Sequence, residues 1–404
     1  MTDVAAPTTD FAGRWGFNPE KFWMYGQQRS EAVEFDEELG CWHAYGHPEV
    51  SEAMSNTEAY SADSGRLFDF DEETAKYFDG DLAQMTGPEH TNIRKQVSRV
   101  FNPKFMDHLE VRVLELANEA LEQIEGRDRF NLLSDFVDHV AGTVFSELLG
   151  IPADDRTMFR LVDQNMDQTA KMTMTDEEDG EGYFDKLTRP LEPLRDMLGM
   201  HIDERVKNPK EDLISLLGQI RKLDGNLMTR DQIINFIIGI LGAGHLATPL
   251  LIGNTQLVLE SFPEQAELVR NDRSLVPSLL EESMRFLTPG NASYRATETD
   301  VVLGGKEIAK DQLIRVWIGA ANRDPRTFTD PHSFNAARNP NPHLGFGHGA
   351  HYCVGGQMVR VETRIVFNVL MDRLPNLRVD PDATPVFFDS PDFTGVKSLP
   401  VVRD

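Results

Sequence analysis

The chain has 404 residues, 40 % of them hydrophobic, and its 66 acidic against 40 basic side chains give a formal net charge of −26. That much apolar sequence can fill a large core, and so acidic a chain lacks the clustered cations that a nucleic-acid partner needs. Two cysteines, Cys41 and Cys353, exclude a disulfide framework and point to a reducing cytoplasm.

The opening MTDVAAPTTDFAG has neither the basic n-region nor the apolar h-region of a secretory signal, and about residues 1–12 are expected to be a flexible segment. Apolar residues at three- and four-residue spacing predict helices over 89–101, 107–125, 130–150, 185–206, 255–270, 275–287 and 355–374. No repeat and no Gly/Ser- or Pro-rich linker interrupts them, so residues 1–404 are expected to form a single domain. MTMTDEEDGEGY (172–183) reads as a solvated loop or a mobile lid. Residues 233–253, IINFIIGILGAGHLATPLLIG, carry no charge and are long enough to cross a bilayer. Their four glycines, histidine and proline, and flanks without a basic cluster, favour instead the central helix of a soluble protein without a membrane anchor. Strand signals are few and late: VVLGGKEIA (301–309) turns at Gly-Gly, and LIRVWIG (313–319) alternates. The expected fold class is mainly α with a small β component.

The most informative stretch is FGHGAHYCVGGQ (346–357), where Cys353 stands in a glycine-rich loop running into an amphipathic helix. A helix N-terminus favours thiolate, and Gly347, Gly349, Gly355 and Gly356 let backbone approach a flat, bulky ligand. No second cysteine is near enough for a zinc site. The pattern F-x-x-G-x-x-x-C-x-G, here Phe346, Gly349, Cys353 and Gly355, resembles the cysteine-ligand loop of the cytochrome P450 family, whose thiolate binds haem iron.

Three further motifs extend that resemblance from about residue 10 to the C-terminus. Glu282-x-x-Arg285 with Arg338 resembles the network that supports the family's haem-binding region. GPEHTNIRKQVSRVFNPKF (87–105) resembles the helix whose histidine and arginine hold the haem propionates; it implies that role for His90 and Arg94, joined by Arg295 and His351. Ala243 and Gly244 occupy the small-residue motif of the helix over the oxygen-binding face. The implied protein is a single P450-like haem-thiolate fold holding heme b, iron protoporphyrin IX. Cys353 would be the metal ligand, with Phe346, Gly347 and Gly355 in the cofactor loop, and Ala243, Gly244 and Thr248 on the oxygen side.

One departure stands out. After Ala243-Gly244 the family has an acid and then threonine, groups that organise water and deliver protons during oxygen activation; here Leu246 and Ala247 stand in those places. Thr248 or His245 could substitute through a helix altered by Pro249, a substrate hydroxyl with water could complete the relay, or the chemistry could need fewer protons. For His245, a core residue satisfied by a neighbouring carbonyl is an equally good reading.

The resemblance implies a monooxygenase that inserts one atom of O2 into an apolar small molecule, such as a polyketide or other secondary metabolite. With no flavin or nicotinamide motif in the chain, electrons would come from a separate ferredoxin and ferredoxin reductase. Lys95, Arg99 and Lys104 offer the donor a basic landing surface on the acidic chain. The alternatives are a peroxide-driven or coupling enzyme on the same haem, and a non-catalytic haem-binding or sensor protein.

Overall fold

A computed structural model describes residues 11–17, 23–25, 29–68, 72–152, 157–169 and 188–403. Residues 1–10 and 172–183, expected above to be a flexible terminus and a loop or lid, lie outside the described residues. Phe11, expected within the flexible segment, opens a short helix and is buried edge-on against Phe286 at 5.6 Å.

The architecture is built from helices α1 (Gly87–Val97), α2 (Pro103–Gln123), α3 (Asp138–Leu149), α4 (Thr157–Thr169), α5 (Glu192–Lys207), α6 (Arg230–Ser261), α7 (Val276–Phe286) and α8 (Gly356–Arg373). Their apolar stripes meet in one core, and the chargeless stretch lies inside α6, packed by α3, α4, α5, α7 and α8. This helix has the length and composition of a membrane span, yet its neighbours here are other helices. A capping box starts it: Thr229 Oγ1 accepts from Gln232 N at 3.2 Å, and Gln232 Oε1 accepts from Thr229 N at 3.0 Å. Pro249 removes one backbone donor without ending the helix.

Several predicted helices differ in extent: 89–101 ends at Val97, and 185–206 reaches its α-helix at Glu192 after a 3-10 turn. The segment 255–270 spans the end of α6 and the helix Pro263–Asn271, because Pro263 disfavours helical backbone at Phe262. The segment 130–150 begins with a strand, Arg129–Asn131, and a π turn before α3 starts.

The β component is not confined to the late sequence. The main sheet holds β1 (Val33–Asp36), β2 (Cys41–Ala44), β3 (Tyr60–Ser61), β4 (Ala292–Thr297) and β5 (Leu313–Trp317) in the order β1-β2-β5-β4-β3. Only β2 and β5 run parallel, joining Trp42 to Ile314, and Arg295 of β4 faces Ile314 from the other side. The early strands have two to four residues, too few to show a period of two. The Gly-Gly turn forms as expected: Gly304 and Gly305 have φ of +57° and +79° in the hairpin between Val301–Leu303 and Lys306–Ile308.

Candidate active site

Cys353 sits immediately before α8, on a loop held by its own backbone. Its N–H donates to the Phe346 carbonyl at 2.7 Å, and its carbonyl accepts from Gly356 N at 3.3 Å. Gly347 and Gly349 have φ of +75° and +67°, and a Cβ on Gly349 would lie 2.6 Å from Ser55 Cα, so the loop folds this way only with glycine there. Phe346 is buried beneath the Arg360 guanidinium, 4.2 Å from its ring centroid, and Gly355 caps α8. The Cys353 side chain is exposed. Desolvation there pushes its thiol up and outweighs the opposing Gly355 amide and the Arg94 and Arg360 charges. A metal cation bound there would favour the thiolate, because coordination deprotonates a thiol.

Beside this loop the four expected cradle residues converge. Arg94 of α1 donates to the Tyr352 carbonyl, one residue before the cysteine. The rings of His90 and His351 stack at 4.2 Å. Burial, then the charges of His90, Arg295 and Arg94, lowers the pKa of His351 to about 3; burial and Arg94 lower that of His90. Arg295 is buried and donates only to Ser293 Oγ and the Tyr294 carbonyl, and burial lowers its pKa to about 10. His90 Nε2 and His351 Nε2 are buried with no hydrogen-bond partner. No carboxylate of the described residues pairs with any of the four. Buried cations and orphaned donors in one place call for an anion, and the two carboxylates of a haem fit that need.

Behind the loop stands a second cluster, fully paired. Glu282 and Arg285 have no exposed surface; Arg285 donates to Glu282 at 2.7 and 2.8 Å and to the carbonyls of Asn322, Pro331 and Ser333. Arg338 completes it with its Nε 3.0 Å from both Glu282 oxygens.

On α6 the expected oxygen-side residues separate. Ala243 is exposed although the helix around it is largely buried, so its face of α6 is open, and Gly239 and Ala247 share that face one turn away on either side. Gly244 points elsewhere: a Cβ there would lie 2.3 Å from Phe145 Cε2 of α3, so close packing requires this glycine. His245 turns from the Ala243 face, with Nδ1 2.6 Å from the Leu241 carbonyl and Nε2 3.0 Å from Asp163 of α4. The carbonyl contact is the one expected of a histidine satisfied within its own helix, and Asp163 adds a second partner. Thr248 is wholly buried, and its hydroxyl donates to Glu362 Oε2 of α8 at 2.5 Å.

Glu362 is the residue that sequence reasoning missed. Burial raises its pKa to about 7, against a lowering by the Thr248 hydrogen bond, and its Oε1 has no partner. A signal was present: Glu362 falls within the stripe Met358, Val359, Val366 and Phe367, an acid on the apolar face of α8.

Comparison with known proteins agrees with this arrangement. The family model described as cytochrome P450 matches residues 255–396. The cyclomarin C epoxidase CymV of Salinispora arenicola is 30 % identical over 378 residues, covering 93 % of this chain and 94 % of that protein. The erythromycin C-12 hydroxylase of Saccharopolyspora erythraea is 28 % identical, covering 94 % of this chain and 93 % of its own. Among solved structures, the hydroxylase HmtN of himastatin biosynthesis is 40 % identical with a TM-score of 0.86, covering 98 % of this chain and 99 % of its own. A structure described as a cytochrome P450-like monooxygenase of microbial secondary metabolism is also 40 % identical, with a TM-score of 0.90 over 96 % of this chain and 100 % of its own. With relatives matched nearly end to end in both sequence and fold, the chain belongs to the cytochrome P450 family of haem-thiolate monooxygenases.

Proposed function

We propose that this P450 oxidises a secondary metabolite with a largely apolar body, using heme b, O2 and electrons from a separate ferredoxin and its reductase in the cytoplasm. The observation that carries the reading is the cradle beside Cys353, where buried cationic and donor groups have no anion of their own. Cys353 would ligate the iron, and His90, Arg94, Arg295 and His351 would take the propionates. When bound, the haem supplies oxygen activation assisted by thiolate electron donation.

The chain's own part is to shape the chamber and hold protons. Gly239, Ala243 and Ala247 would leave room over the haem, and Leu246 and Ala247 hold no exchangeable proton. Glu362, with its pKa raised to about 7, is partly protonated near neutrality and touches the Thr248 hydroxyl. We assign proton storage to this pair, in place of the missing acid and threonine. Arg94 touches the residue beside the cysteine, and Lys95, Arg99 and Lys104, which follow it within ten residues, are exposed, which supports this region as the ferredoxin surface.

Ferrous protein with carbon monoxide should show the red-shifted Soret band of thiolate ligation, and Cys353→Ser should abolish it. Retention of the band in that variant would remove the ligand assignment. Turnover with O2 and electron donors, set against peroxide alone, separates the monooxygenase from a peroxide-driven enzyme, and absence of both leaves a haem-binding protein.

A further inference from the structure

Residues 76–81 lie pressed along the N-terminal half of α6. Asn235 Nδ2 donates to the carbonyls of Lys76 and Asp79 at 2.7 and 2.6 Å, and Gln232 Nε2 donates to the Asp79 carboxylate at 3.0 and 3.1 Å. Gly80 permits the contact: its φ is +100°, and a Cβ there would lie 2.5 Å from the Gln232 carbonyl oxygen. The next residue, Asp81, is thereby set onto Gly239, where a Cβ would lie 2.7 Å from Asp81 Oδ1. Two glycines on two different segments thus make room for one carboxyl group.

That group is poorly compensated. Oδ1 accepts from Ala83 N at 2.9 Å, a turn that a neutral asparagine would serve equally well. Among the described residues no Lys, Arg or His pairs with Asp81, and burial raises its pKa. Its place explains what the carboxyl is for. Gly239 precedes Ala243 by one turn on the same face of α6, about 6 Å along the axis. The carboxyl therefore stands at the edge of the space that Ala243 faces.

We propose that Asp81 is a substrate anchor, binding a protonated amine on an otherwise apolar molecule so that the amine is held one helical turn from the Ala243 face. Gly239, Ala243 and Ala247 take the apolar body, and the ammonium N–H donates to the Asp81 carboxylate. A half-buried carboxylate with a single neutral donor gains most from a ligand that brings both a proton donor and a positive charge. The inference rests on the reading of this space as the substrate chamber.

The test uses the haem-loaded full chain and three probes of equal chain length: N,N-dimethyldecylammonium, 1-decanol and decanoate. Binding is followed by the haem difference spectrum and by equilibrium dialysis. In wild type the ammonium should bind at least tenfold more tightly than decanoate. Asp81→Asn should weaken the ammonium at least tenfold while leaving 1-decanol within twofold, a control that removes the general attraction of an acidic chain for cations. Should Asp81→Asn fail to load haem, Asp81→Ser decides by the same comparison, since its hydroxyl can still accept from Ala83 N while the charge is gone. Ammonium affinity within twofold of wild type in the deciding variant, or no ammonium binding to wild type, overturns the proposal. A wild-type protein without the thiolate–carbon monoxide band would instead overturn the functional reading beneath it.

Discussion

Two clusters of buried guanidinium groups flank the cysteine loop, and they are built on opposite plans. Around Glu282 every charge is answered within the chain: Arg285 and Arg338 share one carboxylate, and backbone carbonyls take their remaining donors. Around His351 no carboxylate of the described residues answers the charges: Arg94 and Arg295 find only neutral oxygens, and the His90 and His351 Nε2 atoms have no partner there. The closed cluster holds its shape by itself. The open one is completed only by an anion, so its stability and its occupancy are one quantity.

The sharpest way to break this contrast is Glu282→Gln, which leaves two buried guanidiniums without their carboxylate. The loss should be about 3–5 kcal/mol, read as a lower unfolding midpoint that excess haem does not restore. Glu362 lies between the two plans, a buried acid with one partner. Its folded pKa of about 7 exceeds the ordinary 4.5, so between those values the folded protein keeps a proton that the unfolded chain releases. Stability should therefore fall as pH rises through that window, by about 3 kcal/mol in total, and Glu362→Gln should flatten the profile of unfolding midpoints from pH 4 to 8. Arg295→Ala should weaken haem retention by about 1.5–3 kcal/mol, and here, unlike Glu282→Gln, excess haem should restore the midpoint. The smallest effect belongs to the exposed cations. Reversing charge at Lys95 and Arg99 should move stability by no more than about 0.5 kcal/mol, yet slow electron transfer from the ferredoxin and weaken its dependence on ionic strength.

The contiguous parts of the site were legible in the sequence. Cys353 and its glycines lie within ten residues, and Glu282 with Arg285 are one turn apart, so local spacing carries the geometry. The facing of α6 was not legible, because a helix apolar nearly all round has no polar side to tell inward from outward. Thr248 was therefore expected on the oxygen side, and only its contact with Glu362, 114 positions away, shows where its hydroxyl goes. His245 failed to declare itself for the same reason, since its partner Asp163 lies on another helix. Asp81 was hidden differently: in an acid-rich chain one more aspartate in a loop carries no signal until its packing on Gly239 is seen. The early strands were missed because they are too short to show alternation, and β2 and β3 in addition find partners only far along the chain, as Trp42 beside Ile314 illustrates.

The β2–β5 pairing also sets a timetable. A ribosome delivers residues in order, and the sheet that positions Arg295 cannot close until Leu313–Trp317 has emerged to join β2 with β4. Cys353 follows still later, while His90 and Arg94 have by then been waiting for most of synthesis. Pairings of such long separation are slow to form, because much chain must be ordered before the contact repays it. Completion of the cysteine loop is consequently a late event in the life of the nascent chain. A ribosome that stalls anywhere before that loop leaves His90 without the His351 ring it stacks on and Arg94 without the Tyr352 carbonyl.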